Sequence, residues 1–417
     1  MQNSISEIIA DFAINLSFED IPDEVIAHGK KMLIDTFGVS IASYNLDHAR
    51  MIKNVLIASK TQKESTLWGT CEKVQVSDAV IYNSSLIHGM DYDDTHVGSI
   101  VHPSASIVSM ALAVGELAGA NGKEVLEAIV AGWEVIIRLG LAANGKFHDI
   151  GYHATGILSS FASVCTAAKL MKAPKEVLVN ALGICGSQSA ALQQFLQDGS
   201  WVKKIHPGWA AHSAIYALKL AHEGLVGPRQ VFEGKYGLWN THLGTTEGLN
   251  EGFSDIGLNW NITDVTFKMY PVCHFTHSFI DCILDIKKED DLKEQDIKKI
   301  ICKIDDRGYK IVCEPMSAKI RPETDYMMRF SLPYLVSIAL IKGRVSPSEI
   351  NIKYAKSPDV QALMDKVDCI QDAEMSKPGY FPGWVEVVAE DGRRFQKEQL
   401  QDQGTIQNPN LYRRIIS

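Results

Sequence analysis

The densest group of titratable side chains runs His88-Gly89-Met90-Asp91-Tyr92-Asp93-Asp94-Thr95-His96 and continues to His102-Pro103-Ser104. Three carboxylates and three histidines fall here, between two apolar runs that read as helices. A loop of this kind can move protons: imidazole titrates near neutral pH, and a neighbouring carboxylate fixes its tautomer and raises its basicity. The competing role is helix capping by Asp93 or Ser104 beside a solvated loop. A second cluster, Gly151-Tyr152-His153-Ala154-Thr155-Gly156, places another histidine at a helix start. The third is Trp201-Val202-Lys203-Lys204-Ile205-His206-Pro207-Gly208-Trp209. Lysine charge ahead of a helix N-terminus suits a carboxylate or a phosphate. The fourth, Lys268-Met269-Tyr270-Pro271-Val272-Cys273-His274-Phe275-Thr276-His277, gathers a lysine, a cysteine and two histidines where the composition of the chain changes. Cys273 could serve as a nucleophile, but no sequence signature around it supports that role.

Two metal readings fit less well. A magnesium site of the kind found in helical synthases needs acids one turn apart, and Asp93-Asp94-Thr95-His96-Val97 lacks the second one. A zinc site from His96 and His102 has no standard ligand spacing. The site residues are therefore read without a metal.

The elements that must hold these clusters come in two kinds. Over the first 250 or so residues the pattern is helix after helix, and the composition changes after about Asn259. Ile21-Pro22-Asp23-Glu24 opens one, with Val25, Met32, Leu33, Phe37 and Val39 along an apolar face. Ser77-Asp78 opens another that ends near His88. Ser104 caps a run over 105–120 that is apolar nearly all round and so belongs inside. Asn121-Gly122 breaks it, and further helices follow over 123–141, 155–171, 174–196 and 209–225. Beyond that, 300–304, 309–313 and 385–389 read as strands, with Glu390-Asp391-Gly392-Arg393 as a hairpin turn. Helices over 275–286, 326–341 and 358–367 lie between them. The expected fold is mainly α: a large all-helical domain over 1–258 and a smaller α+β lid domain over 259–399, with the tail from about 400 to 417 able to return to the first.

The 417 residues are 46% hydrophobic and 22% charged, an ordinary globular composition. The net charge is -9 and the lysines come in ones and twos, so no basic stripe offers itself to nucleic acid. No run of about 18 apolar residues predicts a membrane span. Residues 1–20 have neither the basic nor the apolar region of a signal peptide. Eight scattered cysteines without a C-x-x-C pair suit a reducing compartment, so a cytoplasmic location is expected.

In this order, the four clusters resemble the MmgE/PrpD family, whose members include 2-methylcitrate dehydratase, cis-aconitate decarboxylase and iminodisuccinate epimerase. The matching motifs are Met-Asp-Tyr-Asp-Asp-Thr with His-Pro-Ser, the Gly-Tyr-His segment, Lys-Lys-Ile-His-Pro-Gly-Trp-Ala-Ala-His and Lys-Met-Tyr-Pro-Val-Cys. Arg329-Phe330-Ser331-Leu332-Pro333-Tyr334 also fits. The resemblance spans nearly the whole chain and implies a helical domain with an α+β lid, a homodimer, and cofactor-free chemistry on a small di- or tricarboxylate. By position it assigns His102, His153 and Asp91 to catalysis. Lys203, Lys268, Thr95 and Cys273 would bind substrate. Some decarboxylases of the family carry histidine about where Cys273 stands, and the loop from Asp94 to His102 is slightly longer here than in them.

The expected activity is a lyase that dehydrates a 2-methylcitrate-like hydroxy acid. Lys203 and Lys268 would clamp carboxylates, Asp91 would orient a histidine, and His102 and His153 would share the proton transfers. Decarboxylation or epimerisation of a related acid would use the same parts. A non-catalytic carboxylate-binding protein is the alternative of another class.

Overall fold

The computed structural model describes residues 3–290 and 292–405. Its contacts divide the chain into two compact units. One comprises Met1–Gln193 and Val202–Val265, the other Gln194–Trp201 and Thr266–Ser417. The fold is mainly α, with small sheets.

The first unit contains α1 (Ile5–Asn15), α2 (Asp23–Ser43), α3 (Asp47–Ala58), α4 (Val76–His88), α5 (Ser104–Ala118), α6 (Gly122–Ala143), α7 (Lys146–Asp149), α8 (Ala154–Leu170) and α9 (Lys175–Gly186). The short α10 (Phe195–Asp198) falls to the second unit, and α11 (His206–His222) returns to the first. Minor strands β1 (Ser65–Thr66) and β2 (Lys73–Val74) pair antiparallel. A further two-residue strand, β3, covers Thr95–His96.

Composition explains which helices lie inside. α4 and α8 consist largely of Ala, Ser, Val and Ile, and nearly every residue in them is buried. α11 packs on α4, α8 and α9, and α6 packs on α8. Small residues set the approach. A Cβ on Gly208 of α11 would stand 2.8 Å from the Ile81 carbonyl oxygen and 3.1 Å from Ser84 Cβ in α4, so only glycine lets the two backbones come this close. Asn121 starts α6 as expected, its side chain accepting from the N–H groups of Lys123 and Glu124 while Glu124 accepts from Asn121 N.

Several boundaries differ from the sequence reading. The helix expected over 174–196 ends at Gly186. Ser104 opens α5 but does not cap it: its hydroxyl donates to Asp94 instead. On α2, Val25, Met32 and Val39 are buried as the periodicity predicts, while Phe37 is exposed and lies 5.7 Å from the Trp68 ring.

Strand β4 (Val265–Thr266) straddles the boundary between the units. The second unit then runs through α12 (His277–Asp290), β5 (Ile297–Ile304), α13 (Asp306–Val312), α14 (Met316–Lys319), α15 (Asp325–Arg329), α16 (Leu332–Lys342), α17 (Ile352–Ala355), α18 (Pro358–Met364), β6 (Val367–Gln371), β7 (Gly383–Ala389) and β8 (Arg394–Gln399). Four strands form one sheet in the order β6-β5-β7-β8. Ile300 lies opposite Val367 in the parallel pair and opposite Val387 in the antiparallel one. β5 and β7 match the expected strands, and the 390–393 turn closes the hairpin, with Gly392 at φ +88°.

The segment 309–313, expected as a strand, is instead the end of α13. Asp305 caps that helix by accepting from Gly308 N at 3.2 Å. Such local capping outweighs a short apolar run that could pair either way. The helix expected over 326–341 is broken into α15 and α16, because Ser331 caps a new start and Pro333 occupies its first turn. Val367 begins β6 rather than ending a helix. Of the tail, residues 400–405 go with the second unit, and 406–417 lie outside the described residues.

Candidate active site

In the first unit the loop between α4 and α5 meets the starts of α8 and α11. Asp91 is buried and holds a φ of +54°, a left-handed conformation that aspartate tolerates better than most residues. Its carboxylate accepts from Lys203 Nζ at 2.5 Å, and that lysine, on the turn before α11, is itself buried. Thr95 Oγ1 lies 3.2 Å from His102 Nδ1. The same Nδ1 donates to the Asp94 carbonyl oxygen at 2.9 Å. A carbonyl can only accept, so the neutral His102 carries its proton on Nδ1 and leaves the lone pair on Nε2. Asp94 in turn is locked to the start of α5, accepting from both Ser104 N and Ser104 Oγ. The position suits a carboxylate, since the helix N-terminus is electropositive.

His153 is buried at the position preceding α8. Its ring centroid stands 6.3 Å from that of His102. Thr155 accepts from His102 N at 3.1 Å, which ties the two histidine segments together. Of the residues the sequence singled out, Asp91 and Lys203 form one pair and Thr95, His102 and His153 lie together, all in the first unit, and the Lys203 charge acts on His153. Lys268 and Cys273 belong to the second unit, where both are buried and Cys273 N donates to the Arg329 carbonyl at 3.0 Å.

The geometry adds residues the sequence reading did not single out. His88 and Asp93 are fully buried and paired, with His88 Nδ1 donating to Asp93 Oδ2 at 2.7 Å. The His88 ring stacks on that of His153 at 5.5 Å and lies 5.2 Å from that of His102. His206, the first residue of α11, brings its Nδ1 to 3.2 Å from His153 Nδ1, close enough for one to donate to the other. The signal for His88–Asp93 was present in the first cluster. His206 stood in the third, but nothing in the sequence shows that the starts of α8 and α11 meet. Gly156 permits that meeting: a Cβ there would stand 2.4 Å from Ala191 Cβ and 3.0 Å from His206 Cβ. His96 turns away to its own loop, where its Nδ1 accepts from Ser99 N at 3.1 Å, so it is not poised as a ligand beside His102.

The electrostatics favour neutral imidazoles at His153 and His206. Burial, reinforced by the charges of Lys203, His206 and His88, holds His153 well below the ordinary histidine value. Burial, with His88 and Lys203, takes His206 down to about 3. Neutral rings beside a fixed ammonium group can accept a proton from a bound anion, whose own negative charge raises their basicity on arrival. A separate apolar cavity of about 380 Å³, lined by Val114, Leu117, Ile215 and Leu218 among others, contains none of these residues.

Comparison with known proteins identifies the family. The MmgE/PrpD N-terminal domain matches residues 7–248, and the MmgE/PrpD C-terminal domain matches residues 270–415. The chain belongs to the MmgE/PrpD family. It is 25% identical over 380 residues to a cis-aconitate decarboxylase of Homo sapiens, covering 88% of this chain and 77% of the relative. It is 21% identical over 415 residues to a mitochondrial 2-methylcitrate dehydratase of Yarrowia lipolytica, covering 93% and 76%. A 2-methylcitrate dehydratase of Escherichia coli is 19% identical over 412 residues, covering 93% and 83%. The first three sequence clusters all lie inside the N-terminal match. Among the described residues no helix is long and apolar enough to cross a membrane.

Proposed function

We propose that the chain is a cofactor-independent lyase acting on a small di- or tricarboxylate, dehydrating a 2-methylcitrate-like hydroxy acid. The observation that supports this reading best is the buried Lys203–Asp91 pair, whose ammonium charge acts on the neutral imidazole of His153, with the His102 ring 6.3 Å from that of His153. Lys203 gives the substrate carboxylate a positive partner and stabilises negative charge that builds next to it. One histidine takes the proton alpha to that carboxylate. The electron pair left behind forms the carbon–carbon double bond, and the hydroxyl departs as water with a proton from the other histidine. His88, held by Asp93 and stacked on His153, fixes the ring that must turn over its proton. Lys268 and Cys273 take substrate-binding roles in this reading, and the chain works as a homodimer.

A second reading is favoured by the relatives named cis-aconitate decarboxylase, one of them 25% identical. Decarboxylation would break a carbon–carbon bond, release carbon dioxide and leave a carbanion that a histidine protonates. It needs the same lysine and the same pair of imidazoles.

The experiment is turnover in deuterated water with EDTA present, offering 2-methylcitrate, citrate, cis-aconitate and an iminodisuccinate-type acid, with products read by NMR. Alkene formation from the hydroxy acids, lost in His102→Ala and His153→Ala, supports the dehydratase. Carbon dioxide release from cis-aconitate replaces it with the decarboxylase. Absence of both turnover and deuterium exchange on every acid overturns the lyase reading and leaves carboxylate binding without catalysis.

A further inference from the structure

We infer that His274, His277 and Asp402 of the second unit form a divalent transition-metal site, with zinc as the ion it fits best, that ties the chain after β8 to the start of α12. The three side chains are buried, and one ligand atom from each lies within 4.8 Å of the others. His274 Nε2 and His277 Nδ1 approach the same carboxylate oxygen, Asp402 Oδ2, at 3.0 and 3.3 Å. Zinc holds nitrogen and oxygen ligands at about 2.0–2.2 Å, which puts neighbouring ligand atoms about 3 to 3.5 Å apart around a tetrahedron. Both contacts to Asp402 already have that spacing.

Hydrogen bonding alone leaves the cluster incomplete. His277 is fully buried, and among the described residues neither of its ring nitrogens makes a hydrogen bond of good geometry; its Nδ1 is held at 3.3 Å from Asp402 Oδ2 as an ionic contact. A buried imidazole without hydrogen bonds is costly, whereas a shared cation would satisfy it. The surroundings orient the ligands. The Tyr270 ring meets His277 edge-on at 5.1 Å, and its hydroxyl donates to Asp281 at 2.5 Å. Asp281 also accepts from Gln403 N at 2.9 Å, next to Asp402. Phe381 lies 5.5 Å from the His274 ring. Two imidazoles and one carboxylate suit zinc better than magnesium or calcium, which prefer all-oxygen sites. All three ligands belong to the second unit, and the role of the site is to fasten the chain that follows β8.

The test uses the purified full chain, stripped with a chelator and titrated with zinc against a chromophoric competitor. The expected result is one zinc per chain and a rise in Tm on zinc addition. His277→Ala and Asp402→Asn should each weaken binding by roughly tenfold or more and abolish the Tm rise. Asp402→Asn preserves the shape of the side chain, so it decides the matter should His277→Ala fail to fold by circular dichroism. Cobalt in place of zinc should show visible ligand-field bands without an intense thiolate band in the near ultraviolet. No zinc taken up by the wild type overturns the inference. So does binding that survives Asp402→Asn, or a cobalt–thiolate band that assigns the ion to cysteines.

Discussion

A buried lysine that holds a buried aspartate has two separable jobs, and Lys203 with Asp91 allows them to be told apart. Removing one partner leaves an uncompensated charge inside the protein, at a cost of about 3–5 kcal/mol. Lys203→Met alone should therefore lower Tm sharply and remove activity. The double variant Lys203→Met with Asp91→Asn should recover much of the stability while remaining inactive. Recovery of turnover along with Tm would mean that the lysine only supports the fold. The imidazoles call for a different readout. His102→Ala and His153→Ala should each reduce kcat by about 10²–10⁴-fold, the usual contribution of a general acid or base, with the fold intact. Because burial and neighbouring charges keep His153 neutral, kcat/KM should persist below the ordinary histidine range and fall only when acid protonates the ring. A fall centred at the unshifted value of 6.5 would show an ordinary, solvated histidine acting instead.

At the level of elements, the site depends on where α8 and α11 begin. His153 and His206 stand at those two starts, and Gly156 is the residue that lets them close on each other. Gly156→Ala puts a methyl group into a gap already filled by Ala191 and His206. The expected cost is about 1–3 kcal/mol, from strain of overpacking, together with a drop in kcat. Loss of stability without loss of kcat would show that the His153–His206 approach is structural only. The same region shows what a sequence reveals and what it hides. The helical first unit was legible because its stops are local chemistry: Pro22 ahead of α2, Asn121 with Glu124 at α6, small apolar runs in α4 and α8. The loop of carboxylates and histidines was legible from its density alone. Within that loop the pairing of His88 with Asp93 is a local contact, five residues apart, whose residues the cluster contained; the approach of His153 to His206 was not legible, because it is made by tertiary packing between the starts of α8 and α11, 53 residues apart. The missed boundaries in the second unit have a related cause. Residues 309–313 and 326–341 carry apolar runs that fit either strand or helix, and Asp305, Ser331 and Pro333 decide the outcome locally.

Across the whole molecule, buried titratable groups pull stability in opposite directions over one pH window. His96, His153 and His206 are kept neutral by burial, with His96 lowered to about 4. Their folded values lie below the unfolded value of 6.5, so the unfolded chain gains protons first on acidification. Their contribution is present above pH 6.5 and is lost as the pH falls from there toward the folded values. Glu134 and Asp281 do the reverse. Burial raises each to about 7, outweighing the lowering effect of Asn261 and Arg138 on the first and of Tyr270 on the second. The native state therefore protonates them first, and stability is gained as the pH falls from about 7 toward the ordinary carboxylate range. The two sets pull against each other, so between pH 7 and 5.5 the wild-type Tm should fall less than the buried histidines alone would make it fall. Replacing Glu134 by glutamine keeps an acceptor for Asn261 N and removes the titration. The histidine loss then goes unopposed in the helical unit, and Glu134→Gln should lose stability on acidification more steeply than wild type, by about 1.4 kcal/mol per pH unit. Thermal melts followed by the helical circular dichroism signal at several pH values measure that difference in slope. Parallel slopes would mean that Glu134 is ionised in the native protein, and that the ion pair with Arg138 outweighs its desolvation.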